Sequence, residues 1–109
     1  MCIIVKEDNF EAEVLGASHP VVLVFYADWC EASGMILPFL EGLSITASSW
    51  LGVGKVNVET QPELTRAWDV RAAPTIMLFD KGRRLATKVG AIGETKFFAF
   101  LEAHLEEKV

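Results

Sequence analysis

The run Val21-Val22-Leu23-Val24-Phe25-Tyr26 constrains this chain more than any other segment. A strand with one wet face alternates apolar and polar residues. Six consecutive apolar residues rich in β-branching point instead to a strand buried on both faces, in a sheet covered by helices on each side. The run is therefore the expected centre of the fold. At 109 residues the chain is long enough to bury such a core as a single domain without disulfide or metal staples.

The flanking segments supply the helices and the other strands. Cys2 to Val5 reads as a short strand, and Asp8 three residues before Glu11 resembles a capping box that starts a helix through about Ala17, stopped by Pro20. From Cys30 to about Ser49 the spacing of Met35, Ile36, Phe39, Leu40 and Leu43 predicts a helix, with Pro38 placing a kink inside it. Val53 to Val58 alternates as a third strand. Thr60-Gln61-Pro62-Glu63 is a second capping signal, with proline in the first turn of a short helix to Trp68. Thr75 to Phe79, a turn at Asp80-Lys81-Gly82, and Leu85 to Val89 predict a hairpin. Gly93 to Glu107 closes the chain as a helix that buries Phe97, Leu101 and Leu105. The order βαβαβαββα defines an α/β fold, a mixed sheet of about five strands with about four helices on its two faces, in one domain over residues 1–109.

In such sheets reactive residues gather beyond the carboxyl ends of the central strands, where Trp29 and Cys30 fall. A helix N-terminus offers unpaired N–H groups and partial positive charge to a thiolate, the nucleophilic form of cysteine. The residue three places on, however, is Ser33. A thiol with a second thiol at that spacing can attack a disulfide and then release it internally; Cys30 with Ser33 can only attack.

Composition excludes several classes. The net charge of −5 argues against a broad nucleic-acid surface, which needs clustered Lys and Arg. Met1 to Val5 is followed at once by Lys6-Glu7-Asp8, too short an apolar stretch for a signal peptide or membrane span, so the expected compartment is the cytoplasm. Two cysteines far apart, Cys2 and Cys30, suggest neither a disulfide framework nor a zinc site, and His19 and His104 share no ligand spacing. No bound cofactor or metal is expected.

The segments Ala27-x-Trp29-Cys30, Met35-Ile36-x-Pro38, Lys55-Val56-Asn57-Val58, Arg71-Ala72-Ala73-Pro74-Thr75 and Lys88-Val89-Gly90-Ala91, in this order and at these distances, resemble the thioredoxin family over nearly the whole chain. The resemblance implies a cis peptide before Pro74 facing the thiol. It also implies a peptide groove made by Trp29, Glu31, Ala32, the Ala73-Pro74 backbone and Val89-Gly90-Ala91, with Cys30 and Ser33 as the catalytic pair. A flat indole and a glycine suit such a groove, since both let an extended peptide approach and pair through its backbone.

Two departures from the family pattern bear on chemistry. Cys30-Glu31-Ala32-Ser33-Gly34 stands where thioredoxins read Cys-Gly-Pro-Cys-Lys, and Val24 stands where they bury an aspartate. Their joint loss is coherent, because a buried carboxylate is costly and has no proton to move when the second thiol is gone. Lys55, the usual neighbour of that acid, is expected to reach solvent along its stem. Helix terminus and Ser33 pull the Cys30 pKa down while Glu31 pushes it up, so the terms should nearly cancel and leave a moderately activated thiol rather than a strongly acidic one. Cys2 is expected as an exposed bystander too far away to resolve a disulfide.

The reading that follows is a monomeric monothiol oxidoreductase or isomerase. It would form mixed disulfides with protein or glutathione substrates, depend on glutathione or another external thiol for release, and show weak or no dithiol reductase activity. A noncatalytic adaptor that keeps the groove is the alternative. A glutaredoxin-like protein with a glutathione-ligated iron–sulfur cluster also suits a monothiol, but the segments around Trp29 and Val89-Gly90-Ala91 resemble thioredoxin instead.

Overall fold

The computed structural model describes residues 2–90 and 92–105. Val21–Tyr26 forms strand β2, with Val21 to Phe25 fully buried, and it lies in the middle of a five-stranded sheet. With β1 (Ile3–Ile4), β3 (Gly52–Asn57), β4 (Thr75–Asp80) and β5 (Arg83–Val89), the spatial order is β1-β3-β2-β4-β5. The β1–β3 and β3–β2 pairs are parallel; β2–β4 and β4–β5 are antiparallel. The central strand divides its residues between two cores. Val22 and Val24 pack on one face with Ile36, Leu40, Ile76, Phe97 and Leu101; Val21, Leu23 and Phe25 pack on the other with Val14, Met77 and Phe79. Each such aliphatic or aromatic side chain contributes about 1.5–3 kcal/mol when fully withdrawn from water.

Three helices follow the expected pattern, and a fourth departs from it. Helix α1 (Glu31–Thr46) carries Pro38 in its interior, α2 (Pro62–Ala67) starts on its proline, and α3 (Glu94–His104) buries Phe97 and Leu101 with Leu105 just beyond. The expected extension of this last helix to Glu107 lies outside the described residues. The capping box at Asp8 and Glu11 does not form: the helix over Glu11–Leu15 is π-helical and has no side-chain cap. Asn9 takes the local role instead, its Oδ1 accepting from the Lys6 N–H at 2.7 Å. Thr60 does not cap α2 either. The Glu7 carboxylate, from the other end of the chain, accepts from the N–H groups of Glu63 at 2.9 Å and Leu64 at 3.3 Å, where the helix terminus favours negative charge.

The hairpin is tighter than the sequence implies. Asp80 and Arg83 pair, leaving Lys81 and Gly82 as a two-residue turn with φ of 54° and 79°, the positive values that match strand twist. Leu85 does not open β5 but sits at a bulge, since Leu78 pairs with Ala86 and Phe79 with Arg84.

Candidate functional site

Beyond the carboxyl end of β2 the chain turns at Ala27-Asp28-Trp29 and enters α1. Cys30 is the N-cap of that helix, its extended backbone (φ −96°, ψ 115°) leaving the thiol at the strand-to-helix corner. The Ala73–Pro74 peptide is cis, and Cys30 Sγ donates to the Ala73 carbonyl at 3.3 Å across 43 residues of sequence. Pro74 is buried, and its own carbonyl accepts from the Gly90 N–H at 2.8 Å, which ties the β5 end to the same loop. Gly90 has φ of 94°, a conformation that side chains resist.

Ser33 is wholly buried one helical turn below the thiol. Its Oγ accepts from the Ala27 N–H at 3.3 Å, which leaves the hydroxyl proton free to donate. The Cys30 thiol is held below its ordinary pKa, first by the Ser33 backbone N–H and then by the Ser33 hydroxyl; partial burial and Glu31 oppose the shift. The direction agrees with the moderately activated thiol expected there. The Glu31 side chain lies exposed, where water screens it, and it is the weakest of these influences. Ala27, which supplies the orienting N–H, carries no side-chain signal by which a sequence could single it out.

The other expected site residues divide between the two sides of Cys30. Trp29, 70% exposed, lines a cleft of about 120 Å³ with Val58, Thr65, Val70 and the Arg71-Ala72-Ala73 segment. Ala32 lies on the opposite side, in a depression of about 420 Å³ that it shares with Met35, Ile36, Phe39 and Ile92. Val89, 61% exposed, borders a third cavity with Trp68, Arg71 and Arg84. Glu31 is exposed beside the thiol, and Ala91 lies outside the described residues. Phe39, Arg71 and Arg84 line these cavities without having stood among the expected site residues; Arg71, three residues before the cis-proline, offered the one usable signal.

Beneath the corner, Val24 is fully buried and makes no polar contact to Lys55, its register partner. Lys55 reaches solvent as expected, its side chain 24% exposed. Lys55 Nζ stands 3.7 Å from Glu41 on α1 and 5.8 Å from the centre of the Tyr26 ring, so it finds an anion and an aromatic face. Cys2 is corrected from exposed to buried, 7% accessible in the core that holds Val22 and Val24. Burial pushes its thiol up to about 11, with Glu41 adding to the rise and Lys55 opposing it. Cys2 precedes Ile3, which aligns through Gly54 with Leu23, whereas Cys30 lies past Tyr26 and two ladders away; both thiols are free. Among the described residues no three His, Cys, Asp or Glu side chains form a metal-binding group, and no helix is long and apolar enough to cross a membrane.

A mixed sheet between helices, with a thiol at the head of α1 set against a cis-proline loop, defines a class of α/β protein. The Thioredoxin family model matches residues 1–103, and the chain belongs to that family. It is similar to thioredoxins of Acidithiobacillus ferridurans (39% identical over 101 residues, 93% of this chain and 94% of the relative) and Pseudomonas aeruginosa (37% over 101 residues, 93% and 94%). A thioredoxin of Rhodospirillum rubrum is 36% identical over 99 residues, 91% of this chain and 95% of the relative.

Proposed function

We propose that this protein is a monothiol member of its family, a thiol-disulfide oxidoreductase that works through Cys30 with glutathione or another small thiol completing the cycle. The Cys30 thiolate attacks one sulfur of a client disulfide, a Cys30–client S–S bond forms, and the other client sulfur leaves as a thiolate. An external thiolate then attacks the mixed disulfide, takes the client's place or Cys30's, and the displaced sulfur departs with the electron pair. The single observation that carries this reading is the pairing of a thiol of lowered pKa with a buried serine where a resolving thiol would have to stand. A cytoplasmic setting would supply the reducing thiol, and a monomer suffices for each step.

Trp29, the Ala73-Pro74 backbone and Val89-Gly90 are assigned to hold the client, with Ala32 on the far wall. The adaptor reading draws support from the same buried Ser33 and Val24, since a binding module needs neither sulfur release nor a buried acid.

Mixing the reduced protein with a peptide disulfide should give a one-to-one Cys30–peptide adduct by mass spectrometry, cleared when glutathione is added. Sustained insulin reduction by the unmodified chain with a thioredoxin reductase system would refute the monothiol reading. An adaptor would keep its partners after Cys30→Ser, and the thiol worker would lose the disulfide-linked ones. Ser33→Cys combined with Val24→Asp should restore part of the dithiol turnover in the insulin assay.

A further inference from the structure

Trp68, Asp69, Arg71, Ala72, Arg84 and Val89 border a cavity of about 370 Å³. It adjoins the Trp29 cleft, because Arg71 and Ala72 line both, and the next residue, Ala73, carries the carbonyl that Cys30 Sγ meets. Two arginines and one aspartate thus line one cavity. Arg71 donates through Nε to Asp69 Oδ1 at 2.9 Å, and that ion pair does not use its terminal nitrogens. Arg84 lies 5.4 Å from the centre of the Trp68 ring and forms no ion pair among the described residues. An arginine stacked on an indole is held in place with its N–H fork still available, and that fork matches a carboxylate. Asp69 lines the same cavity and offsets the charge of Arg71, so on a chain of net charge −5 the cation left without a counter-charge there is Arg84.

We propose that this cavity is a carboxylate subsite for the substrate of Cys30, and that it takes an acidic side chain of a protein client lying two to four residues from the attacked cysteine. The inference rests on the nucleophilic reading of Cys30 and names the class of client. An extended peptide advances about 3.3 Å per residue. An acid two to four residues from the attacked cysteine therefore sits roughly 7–13 Å from it along the chain.

The test uses short peptides whose one cysteine is activated as a mixed disulfide with 2-nitro-5-thiobenzoate. The Cys30 thiolate attacks the peptide sulfur, the Cys30–peptide S–S bond forms, and the thiobenzoate leaves as its coloured thiolate, one per chain and with no net oxidation. Peptides carry Glu, Gln or Lys at positions two to four on either side of the cysteine. The Glu series should react about three- to tenfold faster than the Lys series at low salt, with the gap closing as salt rises. Arg84→Gln should level the two series and Arg84→Glu should invert them. Arg83→Glu, which carries the same net charge but does not line the cavity, should keep the original order. Circular dichroism checks that each variant is folded. Equal behaviour of Arg83→Glu and Arg84→Glu, or no preference in the unmodified protein, overturns the subsite while leaving the Cys30 chemistry standing. If Arg84→Glu slows attack on oxidised glutathione alone, the carboxylate belongs to glutathione and the client proposal falls. Failure of every peptide to release thiobenzoate overturns the nucleophilic reading itself and the subsite with it.

Discussion

Cys30 and Cys2 carry the same thiol, yet the fold sends them in opposite directions. Cys30 stands half-buried at the head of α1, where Ser33 donates from backbone and side chain and draws the pKa below its ordinary value. Cys2 lies under the opposite end of the sheet among Val22, Val24 and Val53, with Glu41 nearby, and its thiol is pushed up to about 11. Donors at contact favour a thiolate, and an apolar shell beside a carboxylate forbids one. Nucleophilicity is thus a property of position on the sheet: the same chemical group is a reagent at one place and core packing at the other.

That contrast should be widest in alkylation. Iodoacetamide at pH 8 should modify Cys30 at least about a hundredfold faster than Cys2 in the folded protein, and peptide mapping should find the two rates converging once denaturant unfolds it. Fast labelling of Cys2 in the native state would break the comparison. Val24→Asp puts a charge into the shell that keeps Cys2 neutral. It should lower the unfolding free energy in urea by about 3 kcal/mol, with Lys55 too engaged by Glu41 to compensate fully. Cys2→Ala should cost about 1 kcal/mol as a small buried side chain is removed. It should also change the alkaline limb of stability. Because the folded Cys2 pKa lies above its ordinary value of 9.0, the folded state holds the proton more tightly. Its contribution is complete below pH 9 and fades as pH rises toward 11, so the unmodified protein should lose stability over that window more steeply than Cys2→Ala. The smallest effect sharpens the other side of the comparison. Ser33→Ala should slow Cys30 alkylation at pH 7 about threefold, as the thiolate loses its hydroxyl donor but keeps the backbone N–H.

The periodicity of the chain told most of the fold. Val21 to Tyr26 is legible because burial on both faces requires a continuous apolar run, and Phe97, Leu101 and Leu105 because one helical face recurs every fourth residue. The Asp8 capping box was misleading, since Asn9 outcompetes it from one residue away and the helix that follows takes the wider π turn. Residues whose role depends on a distant neighbour were invisible. Nothing local marks Glu7 as the cap of α2, Glu41 as the partner of Lys55, or Arg84 as a neighbour of Trp68. At the site, the thiol and its missing companion could be read directly, because spacing within one helical turn is fixed. The direction of the balance between Ser33 and Glu31 was legible too, but not that the Ser33 backbone N–H would lead it.

The contact between Glu7 and α2 has a mechanical side. The Glu7 N–H donates to Gln61 Oε1 at 2.8 Å while its carboxylate receives the helix, so the opening loop grips α2 on both sides of Pro62. From that clamped end the chain runs through Trp68 and the Asp69–Arg71 ion pair to the loop that presents the Ala73 carbonyl to sulfur. Residues that follow the edge strand therefore anchor one jaw of the vice, and loosening them would be felt as play at its mouth.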